Sequence, residues 1–173
     1  MENLGKPLVN KVAMSKLVTL NMEEWYPAMD IKELDLKSFL FHELILKEKE
    51  FRQQVRETDW SEYSGAVLCI HCSTDAIIPV WAFMLIAASV EPYVDRLHWG
   101  DKNGFIGDYY KERIDELDVS KYEGRPIVIK GCSEKMVPPS AYMHVTSRLK
   151  PVVQSLMYGE PCSTVPVYKK KKQ

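Results

Sequence analysis

The chain contains two similar segments, residues 51–100 and 110–159, which align at an offset of 59 positions. FRQQVRETDWSEYSG in the first segment matches YKERIDELDVSKYEG in the second, so the pattern D-x-S-x-Y-x-G occurs in both. The alignment resumes further along, where Pro79 and Gly100 match Pro138 and Gly159. Recurrence at a fixed period indicates one supersecondary unit used twice, and each copy must then build the same elements.

Each copy has the composition of a helix, a turn, a strand, a C-S loop, a second helix and a second strand. The first helices are predicted at about 48–57 and 108–117, and the strands after the turn at 66–70 and 127–129. A proline opens the second helix of each copy and another ends it, since proline suits a first turn and breaks a helix interior. We therefore expect an α/β fold, with two tandem strand–helix–strand repeats forming one mostly parallel four-stranded sheet covered by helices.

The segments outside the repeats complete a chain of 173 residues, which is the size of one domain. In the N-terminal segment 1–50, KLVTLNMEEWYP suggests a short strand, and residues 30–57 look mainly helical with a break near 41–45. Residues 167–173 form a basic tail that we expect to be disordered.

Composition excludes several classes of function. The net charge of −1 gives no field for nucleic acid, and the lysine run at the end of the chain is typical of a solvated tail. The longest apolar run, Val80–Val90, is too short to span a bilayer. No apolar signal-peptide core and no phosphate-binding glycine motif is present. These features predict a cytoplasmic protein that acts without nucleic acid or membrane, and in that compartment cysteines favour metal or catalysis over disulfides.

Three cysteines follow predicted strands. Cys72 and Cys132 are equivalent in the alignment and come after the first strand of each copy, and Cys162 comes after the last strand. In a parallel sheet all three would lie at one edge, where three thiolates favour a cation, so we predict a zinc or iron–sulfur site. Asp75 is the candidate fourth ligand, although it could instead cap the following helix. The competing interpretation is three buried cysteines beside turns.

The fourth cysteine belongs to a C-x-x-C motif that the alignment rejects. Cys69 lies opposite Val128, a strand position in the second copy, so we interpret it as a small buried core residue.

Several motifs resemble the DUF2480 family of Bacteroidetes proteins, over nearly the whole chain. They are LILKEKEFR (44–52), DWSEY (59–63), CSTDAIIPVWAFML (72–85), KGCS (130–133) and GEPCSTVPVYKKK (159–171). The resemblance implies a bacterial cytoplasmic protein with no assigned activity. It also implies an association with iron–sulfur cluster assembly proteins as partners.

Three hypotheses for function follow. The first is a metal-binding accessory protein, with Cys72, Cys132 and Cys162 holding zinc or an iron–sulfur cluster and Asp75 or solvent completing the site. The second is a thiol enzyme of sulfur or acyl transfer, with Cys72 or Cys132 activated at a helix N-terminus. The third is an interaction protein whose cysteines are dispensable. An exposed edge strand could also pair two copies as a homo-oligomer.

Overall fold

A computed structural model of the chain describes residues 17–131 and 134–171. The chain divides into two compact units. The continuous unit is residues 27–109, and the split unit joins the residues before 27 to those from 110 onward. No helix among the described residues is long and apolar enough to cross a membrane.

Seven strands and four helices are present in the described residues. The strands are β1 (Val18–Asn21), β2 (Ile31–Asp35), β3 (Val67–His71), β4 (Arg96–Trp99), β5 (Pro126–Lys130), β6 (Ser155–Glu160) and β7 (Ser163–Lys169). The helices are α1 (Glu48–Glu57), α2 (Val80–Val90), α3 (Lys102–Asp115) and α4 (Pro139–Leu149).

The strands form two separate sheets. In the continuous unit, β2, β3 and β4 make a parallel sheet in that order. In the split unit the order is β1-β5-β6-β7, with β7 antiparallel to β6 and the other pairs parallel. The mixed α/β class and the mostly parallel pairing are therefore confirmed. The single four-stranded sheet is wrong, because β1 and β2 each pair with a different half of the chain and give each half its own sheet.

The two units place matching elements at the same spacing in the chain. The starts of β3 and β5, of α2 and α4, and of β4 and β6 all differ by the 59 positions of the alignment. Their cores match as well: Phe51 of α1 is fully buried, and so is Tyr110 of α3, which lies at the corresponding position. Tyr110 differs from Phe51 by a hydroxyl, and this buried hydroxyl donates a hydrogen bond of 2.8 Å to the Met22 carbonyl.

The D-x-S-x-Y-x-G pattern encodes a capped turn in both units. Asp59 accepts hydrogen bonds from the Ser61 amide at 3.0 Å and hydroxyl at 2.6 Å, at the start of a short 3-10 helix. Asp118 accepts the same pair from Ser120. In both turns the serine hydrogen bonds lower the pKa of the aspartate. The glycine that ends each pattern has a positive φ, as for Gly65 at 70°, so the pattern serves structure rather than chemistry.

Residues 31–39 differ from the sequence prediction. The helical segment expected from residue 30 is not confirmed, because β2 and a 3-10 helix (Leu36–Phe39) occupy this region. The Asp35 side chain accepts from the Lys37 amide and starts the 3-10 helix, while β2 gains a full parallel pairing with β3. Tertiary pairing has overridden a local helical pattern. The helix at 48–57 is confirmed as α1.

The remaining differences lie at the ends of elements. The helix expected at 108–117 begins earlier, at Lys102, because the Asp101 side chain accepts from the Gly104 amide and caps the additional turns. The disorder expected for the tail is wrong for residues 167–169, since they belong to β7, which pairs with β6.

Candidate binding site

The predicted cysteine ligands lie on different sheets. Cys72 follows β3 in the continuous unit, and Cys162 lies in the turn between β6 and β7 of the split unit. The expectation that both share one sheet edge is therefore wrong, because that expectation depended on a single sheet. Cys132 lies outside the described residues. Within residues 17–131 and 134–171, no group of three or more His, Cys, Asp or Glu side chains is placed to hold a metal ion.

The loop after β3 holds Cys72 through a chain of hydrogen bonds. The Thr74 hydroxyl donates to the Glu43 carbonyl at 2.8 Å and lies 3.3 Å from the Cys72 sulfur. Because a hydroxyl has a single proton to donate, the Cys72 thiol is the donor in its contact with Thr74. This arrangement holds the half-buried Cys72 thiol in the loop. Residues 73–79 separate Cys72 from the start of α2, so the helix dipole does not reach it.

Asp35 anchors the same loop. Its carboxylate accepts from the Ser73 hydroxyl at 2.6 Å and from the Ser73 amide at 3.1 Å. Burial alone would raise the pKa of Asp35, but these hydrogen bonds, the one from the Lys37 amide and the nearby His71 lower it to about 2. The candidate ligand Asp75 is exposed in this loop and does not cap α2, whose N-cap is Pro79.

Cys69 is a core residue, as the alignment predicts. It is fully buried in the middle strand of the three-stranded sheet, level with Glu33 and His98. Burial, and then the negative charges of Glu33 and Asp101, raise the pKa of its thiol to about 11. Such a thiol is a poor nucleophile and a poor metal ligand at neutral pH.

The split unit contains a large apolar cleft between α4 and the sheet. Its volume is about 580 Å³. Side chains from β5, β6, β7, α4 and the loop before α4 line it: Ile129, Val137, Pro139, Tyr142, Met143, Thr146, Leu156, Met157, Tyr158 and Val167. The rings of Tyr142 and Tyr158 meet edge to face, with centroids 5.6 Å apart. None of these residues carries a charge.

A smaller cleft of about 140 Å³ lies at the matching place in the continuous unit. It is lined by Ile70, Phe83, Ala87, Leu97, His98 and Trp99, each 59 positions before a residue of the larger cleft. The larger cleft also borders Val167 of β7, and the three-stranded sheet has no described strand in that position.

Exposed hydrophobic side chains occur at matching positions in the two units. Ile77 matches Met136, Met84 matches Met143, and Trp99 matches Tyr158. The Met84 side chain is exposed although it lies in the most apolar run of the sequence. The signal was present in VWAFMLIAASV, which is apolar on every face although α2 packs only one face against its sheet. Such a helix leaves apolar surface for a ligand or partner.

A family model described as "Protein of unknown function (DUF2480)" matches residues 6–170. The chain therefore belongs to this family, as the sequence motifs predict. No curated protein and no solved structure matches the chain.

Proposed function

We propose that the protein binds a small apolar molecule in the cleft of the split unit. The observation that carries this proposal is the uncharged, largely apolar lining of a cavity of about 580 Å³. Ligand pockets typically enclose about 300–1,000 Å³ and combine apolar walls with a few polar atoms. The cleft is within this range.

The lining indicates the chemistry of the ligand. Aromatic and thioether side chains such as Tyr142, Met143 and Met157 suit flat or flexible hydrocarbon groups. The described residues that line the cleft include no charged side chain to pair with an ionised headgroup. The hydroxyl of Thr146 and those of the tyrosines can orient at most a small neutral polar group. The ligand class is therefore neutral and mainly hydrocarbon or aromatic.

A neutral fluorescent probe, N-phenyl-1-naphthylamine, tests the proposal. We expect saturable fluorescence enhancement with the wild-type protein. Replacing Thr146→Phe places a ring in the cleft and should weaken binding by about tenfold or more, the equivalent of about 1.4 kcal/mol. The matched control is Ala87→Phe, which fills the smaller cleft at the corresponding position and should leave the affinity within about twofold.

Both variants should keep the wild-type circular dichroism and unfolding temperature, which shows that each is folded. Wild-type protein that gives no saturable enhancement contradicts the proposal. So does a Thr146→Phe variant that binds as tightly as the wild type.

The fourfold difference in volume between matching clefts is consistent with a duplicated unit in which one copy became specialised for binding. We propose that the two units are such tandem copies. We also propose a cytoplasmic location, where a reduced, half-buried Cys72 and an exposed Cys162 would be maintained.

The three-cysteine metal site and a role beside iron–sulfur cluster assembly proteins stay a second proposal. The accessibility of the Cys72 and Cys162 thiols favours it, because a ligand must be reachable. Elemental analysis and visible absorption of anaerobically purified protein test it. Metal-free protein with every accessible thiol titrating freely contradicts it. One thiol that alkylates far faster than the others, without metal, would indicate the thiol enzyme instead.

A further inference from the structure

The backbone at the end of β5 lies against two side chains of the larger cleft. Gly131 directly follows β5 and has φ 151°, a conformation that favours glycine. A methyl group at this position would come within 2.6 Å of the Tyr142 hydroxyl oxygen and 3.5 Å of a Val137 methyl carbon. Tyr142 and Val137 line the cleft, whereas Gly131 is not among the described residues that line it. The absence of a side chain at position 131 therefore gives Tyr142 and Val137 the room that they occupy.

A third neighbour of Gly131 is fixed in the core. The Cβ of Met22 lies 3.2 Å from the place of the added methyl group. Met22 is fully buried, and its carbonyl accepts the hydrogen bond from the Tyr110 hydroxyl. An extra methyl group in a packed region forces side chains from their positions, and the end of a tyrosine side chain moves more easily than a buried backbone. A side chain at position 131 would therefore displace Tyr142, away from Gly131 and into the cleft that Tyr142 borders.

The continuous unit has the opposite combination at the matching positions. Cys72 directly follows β3, so a side chain is present there, and Phe83 occupies the position of Tyr142 without its hydroxyl. The cleft of this unit has a volume of about 140 Å³, against about 580 Å³ in the split unit. Neither unit combines a side chain after the strand with a hydroxyl on the ring, and the 2.6 Å distance at Gly131 explains why.

We infer that Gly131 and the Tyr142 hydroxyl together determine the size of the ligand that the larger cleft accepts. This inference rests on the proposed binding of a small apolar molecule and adds a size class to it. Tyr142 lies with its hydroxyl beside Gly131 and its ring edge to face with Tyr158, at 5.6 Å between centroids. This position of the ring keeps the cleft open for neutral molecules larger than a bicyclic aromatic ring. The smaller cleft falls below the volume of about 300 Å³ at which ligand pockets typically begin.

Two neutral probes that differ by one phenyl group test the inference, N-phenyl-1-naphthylamine and 1-naphthylamine. Binding of each is followed through the ¹³C-labelled methyl group of Met143, which lines the cleft. The variant Gly131→Ala adds one methyl group beside Tyr142. Its matched control is Gly124→Ala in the same unit, because Gly124 also has a positive φ, of 64°. Apart from its chain neighbours, a methyl group at Gly124 would meet no atom of the described residues within 4 Å, so this control reports backbone strain alone.

We expect Gly131→Ala to weaken the binding of N-phenyl-1-naphthylamine about tenfold or more and that of 1-naphthylamine by no more than about twofold. Gly124→Ala should leave both affinities within about twofold of the wild type. Tyr142→Phe removes the hydroxyl that the added methyl group meets, so in this background Gly131→Ala should change the affinity by no more than about threefold. Tyr142→Trp enlarges the ring beside an unchanged Gly131 and should discriminate between the probes in the same direction, which provides the test if Gly131→Ala does not fold.

Three results would overturn the inference and leave the proposed function standing. They are a folded Gly131→Ala variant that binds both probes like the wild type or loses both equally, an effect of Gly131→Ala that persists in the Tyr142→Phe background, and a Tyr142→Trp variant that does not discriminate between the probes. Wild-type protein that binds neither probe would overturn the proposed function and this inference together.

Discussion

Replacing Asp35 with asparagine should loosen the loop that carries Cys72, and the effect should depend on pH. The Asp35 carboxylate accepts two hydrogen bonds from Ser73 and one from the Lys37 amide, and its pKa is lowered from 3.8 to about 2. A depression of this size corresponds to at most about 2 kcal/mol of stability at neutral pH. Solvent screening of a partly exposed carboxylate reduces this to about 1 kcal/mol.

The sign of the pH dependence follows from the depressed pKa. The stabilisation should be complete above the pKa of the unfolded chain, near 4, and should disappear as the pH falls toward about 2. The direct assay is a carboxyl ¹³C NMR titration of Asp35, accompanied by urea unfolding of the wild type and Asp35→Asn at pH 7 and at pH 3. In Ser73→Ala, which lacks the 2.6 Å hydrogen bond, the pKa of Asp35 should rise. A wild-type pKa near 3.8, or one that Ser73→Ala leaves unchanged, would refute the reasoning.

Two other predictions follow from buried groups. At pH 8, iodoacetamide should label exposed Cys162 long before buried Cys69. The reason is that the raised pKa of Cys69 makes its thiolate fraction about a hundredfold lower than that of an ordinary cysteine. Mass spectrometry that finds both cysteines labelled at equal rates would contradict this prediction. Tyr110→Phe should cost about 1 kcal/mol of unfolding free energy through its lost hydrogen bond to Met22, and the reverse change Phe51→Tyr should cost about 1–3 kcal/mol by burying a hydroxyl. Denaturation of the two variants that shows no loss for either would contradict the packing described here.

Much of the local structure could be predicted from the sequence, because the signals are local. The prolines before and after α2 and α4 mark the ends of both helices, and the D-x-S-x-Y-x-G pattern marks both capped turns. The alignment also identified Cys69 as a core residue, since its counterpart is Val128.

The division into two sheets could not be predicted in this way. Strand β1 pairs with β5 across more than a hundred positions, and local periodicity carries no information about such pairing. Strand β2 was missed because its two apolar residues, Ile31 and Leu34, are three positions apart, a spacing that fits one face of a helix and not the alternation of a strand. The prediction that Cys72 and Cys162 lie at one sheet edge assumed a single sheet, and it is wrong because the chain forms two sheets.

The clefts were missed for a related reason. Whether Met84 and Met143 are core or surface depends on which face of α2 and α4 the sheets cover, and this requires the tertiary fold. The apolar character of α2 on all faces is the one signal of this surface that the sequence carries.

Ligand binding in the larger cleft is tested most directly by NMR of protein labelled with ¹³C at the methionine methyl groups, titrated with N-phenyl-1-naphthylamine. Met143 and Met157 line this cleft, whereas Met29 and Met84 belong to the continuous unit and line neither cleft. We predict saturable shifts of the Met143 and Met157 signals, with those of Met29 and Met84 unchanged. Shifts confined to Met29 or Met84, or Met143 and Met157 signals that do not move at saturating probe, would contradict the proposal.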